Sequence, residues 1–358
     1  MGIAQNLVGR ELKGRSEAVW TVVERLTLDE GESFHSIGYR VRANDGREAF
    51  MKVTDLDLLT DSDCSMFERA NAAMQAHTVE RKMLEHCKGN NMDRIVVALD
   101  YGEAVIQGSD GREPIFYLMF ELAESDVRFH VDRRAEFDLT WILTALHDLA
   151  VAIQQLHRGN ITHNDIKPQN FLVFRELKER LQKLADLGCA TSPLIASVYD
   201  DAVCAGDPRY APPEILYKGA ETRCSFDARK TMDIYHLGSM IYFLITGRML
   251  TPEIMLQLAP EHRPTTMDGE TDLPLAEVLP YWREAFGRCL DLFVGKLPCD
   301  PEGRLTRLSE GLLSSLLELC EPDPALRGHP DNRRRNADRA SMEQYISLFN
   351  DLKRRLTH

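Results

Sequence analysis

The chain has 358 residues and a mass of 40.7 kDa, beyond the roughly 100–150 residues that one compact core most often serves, so two lobes or domains are expected. Hydrophobic residues at 44% and charged residues at 28% exclude a mainly disordered, collagen-like or membrane-embedded chain. The formal charge of −13 opposes sequence-independent attraction to nucleic acid.

From Ala18 to Glu121 the sequence reads as short extended runs separated by turns: Ala18–Leu26, Tyr39–Ala43, Glu48–Val53, Ile95–Tyr101 and Ile115–Glu121. Asn44-Asp45-Gly46 and Ser109-Asp110-Gly111 are hairpin signals. One helix, about Ser65 to Cys87 and rich in Ala, Met, Glu and Arg, interrupts them. After Leu139 the period changes, because Ile142, Leu143, Leu146, Leu149, Ile153 and Leu156 recur at helical spacing. Helices are expected over Trp141–His157, Met232–Thr246, Leu275–Phe293, Leu308–Cys320 and Ser341–Arg355, with a small hairpin at Phe171–Val173 and Lys183–Ala185. Thr251–Asp272, with Pro252, Pro260 and Pro264, reads as an insertion or loop and a surface for a protein partner.

The eight cysteines form no CxxC pair, which speaks against a zinc ribbon or redox motif. Reduced thiols in an intracellular, cytoplasmic compartment fit best. The most apolar stretch, Leu237–Thr246, is far short of the roughly 20 residues that span a bilayer. Residues 1–12 lack a secretory hydrophobic region. Neither a membrane nor a nucleic acid is therefore an expected partner.

The most informative segment is His163-Asn164-Asp165-Ile166-Lys167-Pro168-Gln169-Asn170, followed by Asp186-Leu187-Gly188. It resembles the catalytic loop and metal-binding motif of eukaryotic-type protein kinases. Phosphoryl transfer is mainly positioning and charge neutralisation, so a carboxylate must hold the acceptor hydroxyl while an amide and a second carboxylate hold Mg²⁺ on the phosphates. The resemblance implies Asp165 as the base, Asn170 and Asp186 as metal ligands, and Lys167 on the transferred phosphate. His163 is implied to be structural rather than an acid or base.

Further similarities extend the match from about Trp20 to Arg327. Phe50-Met51-Lys52 resembles the third-strand lysine motif, so Lys52 would contact the α/β-phosphates; its partner carboxylate is expected at Glu80, with Glu68 as the alternative. Phe120-Glu121-Leu122-Ala123 resembles the hinge whose backbone bonds adenine, at Glu121 and Ala123, with Leu172 under the base and Asp126 near the ribose. Counting back from Lys52 places Ile37 at the end of the phosphate-covering loop, and Phe50 would stand against the adenine. Asp207 to Glu214 is similar to the A-P-E segment, with Arg327 as the arginine that pairs with its glutamate, and Asp233 to Gly238 resembles the helix whose aspartate anchors the catalytic loop.

What this implies is an α+β, bilobal protein kinase fold: an N-terminal extension over 1–17, a strand-rich lobe over 18–122, a larger helical lobe over 123–330 with 251–272 as its insertion, and a C-terminal helix over 331–358. ATP with Mg²⁺ would lie between the lobes, and the γ-phosphoryl group would pass to Ser or Thr of a protein substrate. Small-molecule kinases of the aminoglycoside type share the Asp…Asn…Asp core but usually lack the P-P-E segment and the lysine two after the base. The competing class is a pseudokinase, a nucleotide-binding or allosteric module without turnover. It is favoured by the glycine-poor loop, where Glu30, Glu32 and His35 fall at positions usually held by glycine, although a register using Gly31 and Gly38 is open. Two further departures stand out. Asn164 replaces the arginine that in many kinases receives an activation-loop phosphate, which predicts activity without that phosphorylation. Asp207 replaces a threonine and either pairs with Lys167 or serves as the turn residue before Pro208.

Overall fold

A computed structural model describes residues 2–26, 36–56, 65–107, 111–133, 138–176, 179–218, 224–265, 273–298, 305–335 and 338–357. Glu30, Gly31, Glu32 and His35 of the expected phosphate-covering loop lie outside these residues. The chain forms two compact units, Met1–Glu124 with Ile195–Val198, and Ser125–Leu194 with Tyr199–His358.

The first unit is a six-stranded antiparallel sheet and one long helix. In chain order its strands are β1 (Glu11–Lys13), β2 (Val19–Arg25), β3 (Ser36–Ala43), β4 (Glu48–Thr54), β5 (Ala98–Gln107) and β6 (Arg112–Phe120), with helix α1 (Met66–Gly89) between β4 and β5. The spatial order is β1-β2-β3-β4-β6-β5. Strand alternation sorts β4 into two faces: Ala49, Met51 and Val53 are buried, and Phe50 and Lys52 point the other way. The buried face joins Trp20, Tyr39, Val41, Ile115, Tyr117 and Met119 in one core. On α1 the buried residues Ala73, Glu80, Leu84 and Cys87 recur at helical spacing, so Glu80 belongs to the inward stripe. Ser65 and Glu68 close the helix start with a reciprocal capping box.

The expected extension over 1–17 packs, through its described residues 2–17, onto this sheet. Ala4, Leu7 and Leu12 are buried in the sheet core, and β1 pairs with β2. Tyr39 Oη donates to the Ala4 carbonyl at 2.6 Å and Tyr117 Oη to that of Lys13 at 2.9 Å. Asp100 accepts from the Ser16 backbone at 3.1 Å and from Trp20 Nε1 at 3.1 Å. A three-residue strand with one inward side chain carries too little alternation to register as a strand.

The second unit contains, in chain order, β7 (Ser125–Asp126), α2 (Val127–Arg133), α3 (Leu139–Arg158), the hairpin β8 (Phe171–Glu176) and β9 (Glu179–Leu184), α4 (Pro213–Leu216), α5 (Phe226–Thr246), α6 (Leu250–Gln257), α7 (Leu275–Lys296), α8 (Thr306–Leu319), α9 (Pro330–Arg334) and α10 (Glu343–Thr357). Helix α5 is buried almost all round, packed by α3, α6, α7 and α8, which marks it as the central helix of the unit. It starts at Phe226, well before the expected Met232, because Ser225 caps it by accepting from the Ala228 backbone at 3.2 Å.

Two expectations are corrected here. The first part of Thr251–Asp272 is helix rather than loop: Pro252 sits in the first turn of α6, where its missing N–H has no helical acceptor to lose. Leu250, Thr251 and Ile254 are buried, and Thr251 Oγ1 donates to the Ala211 carbonyl at 3.1 Å. Residues 250–258 therefore belong to the packed unit, and 266–272 lie outside the described residues. The expectation of no segment long enough to span a bilayer is also corrected, since besides Leu237–Thr246 the 20-residue helix α3 is long and apolar enough to cross a membrane by length and composition. Here Ile142, Leu146, Leu149, Ile153 and Leu156 of α3 are all buried within the unit.

Candidate active site

In the second unit the catalytic-loop motif is irregular backbone held from below. Asn160 and Asn164 adopt left-handed conformations, φ 58° and 66°, which asparagine tolerates better than most residues. The buried Asp233 carboxylate of α5 accepts from the backbone N–H of His163 and of Asn164, each at 2.9 Å, and meets His157 Nε2 at 3.0 Å. Burial pushes the Asp233 pKa up, but its bond to His157 and three surrounding histidines outweigh that, so it is held below its ordinary value. His163 Nδ1 accepts from the Asp165 backbone at 3.2 Å and its Nε2 faces the Ala185 carbonyl at 2.9 Å. Both ring nitrogens are thus used on backbone, with the proton on Nε2, which leaves His163 no part as an acid or base.

The side chains of Asp165, Lys167 and Asn170 converge on this loop. Asp165 Oδ1 accepts from the Asp207 backbone N–H at 2.9 Å, and its Oδ2 lies 3.0 Å from both Lys167 Nζ and Asn170 Nδ2. Asn170 Nδ2 also donates to the Asp165 carbonyl at 2.8 Å. Asp186 is brought alongside by the neighbouring backbone, where Ala185 donates to the Asn170 carbonyl at 2.8 Å. Asp186 itself is left-handed, φ 63°, and accepts from Gly188 N at 3.1 Å. Burial would lower the Lys167 pKa, but Asp165, Asp207 and Asp186 together raise it above its ordinary value, so the ammonium is firmly charged.

Asp207 realises both sequence readings unequally. Its carboxylate caps the turn at Pro208 by accepting from Arg209 N at 3.0 Å and takes the Arg209 guanidinium at 2.6 Å. Lys167 Nζ is farther, at 3.8 Å. Burial opposes ionisation of Asp207, yet the Arg209 bonds and Lys167 hold its pKa below the ordinary carboxylate range. Asn164 Nδ2 donates to the Cys189 carbonyl at 2.9 Å and to Thr191 Oγ1 at 3.1 Å. A neutral amide thus links the loop to the segment after Asp186. Glu214 and Arg327, both buried, pair through two contacts of 2.5 and 2.8 Å.

Asp126 and Leu172 face each other across β7 and β8, so these two expected nucleotide contacts are cross-strand partners. Asp126 also caps α2, accepting from Phe129 N at 2.7 Å.

In the first unit Lys52 Nζ lies 2.9 and 3.1 Å from the two Glu80 oxygens, joining β4 to α1. Glu68 is spent on its own helix cap. His77, one turn before Glu80, is pushed down to about 4 by burial and by the nearby charges of Arg81 and Lys52, and is therefore neutral. Phe50 packs against its cross-strand neighbour Phe120, ring centroids 6.4 Å apart. Ile37 is buried in the sheet core opposite Val53. After β6, Glu121 N donates to the Val97 carbonyl at 3.2 Å while the Glu121 carboxylate accepts from Val97 N at 2.8 Å. Glu121 and Ala123 lie in the short irregular stretch just before the boundary at Glu124.

Among the described residues no group of three or more His, Cys, Asp or Glu side chains could hold a metal ion by itself. Asn170 and Asp186 supply one amide oxygen and one carboxylate, the sparse hard-oxygen set that suits Mg²⁺ when substrate phosphates complete its shell. Because Asn170 Nδ2 is engaged by Asp165, the amide oxygen is the atom left to ligate.

The family model for the protein kinase domain matches residues 43–317. The chain belongs to the protein kinase family. Among curated relatives, this kinase is 30% identical over 174 residues to a calcium/calmodulin-dependent protein kinase kinase of Emericella nidulans, covering 46% of this chain and 32% of the relative. It is 30% identical over 142 residues to the serine/threonine-protein kinase PknL of Mycobacterium tuberculosis, covering 39% and 33%. A Wee1-like protein kinase of Arabidopsis thaliana is 37% identical over 110 residues, 31% of this chain and 19% of that protein. The kinase thus matches about a third of the length of the first two relatives.

The two arginines at Arg209 and Arg229 escaped the motif reading. Arg209 follows Asp207 by two residues, the spacing of an Asp-capped turn, and that signal was available. Arg229 carries no such signal.

Proposed function

We propose that this kinase transfers the γ-phosphoryl group of ATP to a Ser or Thr hydroxyl of a protein substrate, with Asp165 as the catalytic base. The observation that carries the reading is the Asp165 carboxylate, oriented at once by the Asp207 N–H, Lys167 and Asn170. In that role Asp165 accepts the hydroxyl proton as the hydroxyl oxygen bonds to the γ-phosphorus and the bond to the β–γ bridging oxygen breaks, releasing ADP. Lys167, kept charged by its carboxylate neighbours, would leave Asp165 for the incoming phosphate and offset its charge. Lys52, oriented by Glu80, would bind the α/β-phosphates. Backbone at Glu121 and Ala123 would hold adenine, with Phe50 and Leu172 as apolar walls and Asp126 toward the ribose; Ile37, on the core face of the sheet with Val53, is turned away from Phe50 and Lys52. Mg²⁺ at Asn170 and Asp186 would neutralise phosphate charge.

A Ser/Thr acceptor is supported by Lys167 two residues after Asp165, a feature shared with Ser/Thr rather than tyrosine kinases, and by the name of the PknL relative. The unbridged thiols of Cys87, Cys204, Cys224, Cys289 and Cys320 fit a reducing, cytoplasmic setting. The second reading, a pseudokinase, is favoured by Glu30 and Glu32 where glycines usually approach phosphate. Incubation with γ-labelled ATP, Mg²⁺ and a generic protein substrate, followed by acid hydrolysis, distinguishes them. Labelled phosphoserine or phosphothreonine is expected. Absence of label, together with a thermal shift on adding ATP and Mg²⁺, would establish the pseudokinase.

A further inference from the structure

Arg229 lies one turn into α5 and is only 2% exposed. Burying an unpaired charge is unfavourable by several kcal/mol, and the N-terminal end of a helix disfavours a cation further. Among the described residues no carboxylate pairs with it. Its partners are carbonyl oxygens instead. NH2 donates to Tyr199 at 2.7 Å, Asp200 at 3.1 Å and Ala202 at 2.9 Å, Nε donates to Cys224 at 3.4 Å, and NH1 is buried without a partner. A residue chosen for helix stability alone would not be an arginine here.

Three of the four carbonyls it gathers, those of Tyr199, Asp200 and Ala202, belong to the stretch leading into the Asp165 site. Four residues past Ala202, Gly206 lies so close to the catalytic loop that a Cβ there would fall 2.3 Å from the Asn164 carbonyl oxygen and 2.9 Å from Asp165 Cβ. The next residue, Asp207, gives its backbone N–H to Asp165 Oδ1. Cys204 Sγ bridges within this run to the Gly206 carbonyl at 3.3 Å. A short tethered run thus links residues 199–202 to the Asp207 N–H that orients the base.

We propose that Arg229 is a positioning residue for phosphoryl transfer: its buried guanidinium ties down the Tyr199–Ala202 carbonyls and so sets the Asp207 N–H that aligns Asp165. This rests on the reading of Asp165 as the base. It gives this kinase a permanent, internal cation to order the segment, beside the neutral Asn164 link to Cys189 and Thr191. Ordering by an added phosphate would then be unnecessary.

The test uses the full chain and the variants Arg229→Met and Arg229→Lys, the first keeping stem volume without donors, the second keeping charge without the fork. Two quantities are read well below each variant's melting temperature: hydrogen exchange of the Asp207 amide, from overlapping peptides across 203–210, and steady-state kinetics. In Arg229→Met, exchange at Asp207 should quicken about 10-fold or more and kcat should fall by a similar factor, with KM for ATP unchanged, as expected for losing hydrogen bonds to a charged group. Arg229→Lys should lie between the two, and it carries the test if the methionine variant does not fold. Unaltered Asp207 exchange, or faster exchange with unchanged kcat, overturns the proposal. A parent chain without turnover overturns the base assignment instead, and the exchange arm still decides whether Arg229 orders the segment.

Discussion

The Lys52–Glu80 pair and the Asp165 loop perform their ordering by different physical means. In the first unit one lysine on a strand meets one glutamate on a helix, with side-chain exposures of 19% and 8%, and regular elements supply the geometry. In the second unit Asp165, Asp186 and Asp207 crowd around Lys167, and left-handed residues, backbone N–H groups and the buried Asp233 supply it. A pair on regular elements depends on the helix keeping its place. A cluster on irregular backbone depends on every strut beneath it.

The largest expected loss comes from breaking the second region at its centre. Asp165→Asn should lower kcat by roughly 10²–10⁴-fold, with the melting temperature near that of the parent. Next is a strut remote from the chemistry. Arg327→Met leaves the buried Glu214 without its partner and should reduce stability by about 3–5 kcal/mol in urea unfolding. Breaking the first region should cost less: Glu80→Gln keeps the size of the side chain but frees Lys52, and a drop in kcat/KM of roughly 10–100-fold is expected. If Glu80→Gln proved as damaging as Asp165→Asn, the contrast between the two regions would be wrong. Smallest is Asp207→Asn, which keeps the turn cap but weakens a partly exposed pair with Arg209. Less than about 1 kcal/mol of stability should be lost.

The two regions also titrate. His77 in the first and His236 in the second are both pushed down to about 4, mainly by burial. His77 faces Arg81 and Lys52; around His236, the carboxylates of Asp233 and Asp165 pull upward while His163 and Arg327 pull downward. The native state therefore declines protons that the unfolded chain accepts below pH 6.5. Stability from this source is complete above 6.5, declines as the pH drops toward 4, and levels off below that. The slope should approach two protons, roughly 1.4 kcal/mol per pH unit for each. Urea midpoints measured at several pH values, with His77→Gln and His236→Gln singly and together, would show each region's share.

These same differences decided what could be read from the sequence. Short extended runs located β4, composition located α1 and helical spacing located α3, while Lys52 and Glu80 were legible through the motif resemblance laid on those elements. The loop around Asp165 was legible only as a motif, since left-handed asparagines and backbone donors leave no periodic trace. Helix α6 was hidden because Pro252 resembles a breaker unless it is known to lie in a first turn. The packing of residues 4–16, β1 included, was hidden because its anchors, Tyr39 on Ala4, Tyr117 on Lys13 and Asp100 on Ser16, lie far along the chain. Arg229 was invisible for a related reason: its partners are main-chain carbonyls 27–30 residues away, and a carbonyl has no sequence signature.

The central claim is that both ordered groups serve one transfer of phosphate. It is tested most directly by incubating the parent, Asp165→Asn and Lys52→Ala with labelled ATP, Mg²⁺ and a protein substrate under identical conditions. The account predicts incorporation by the parent and near-background incorporation by both variants, each still folded. Equal incorporation by all three would contradict it.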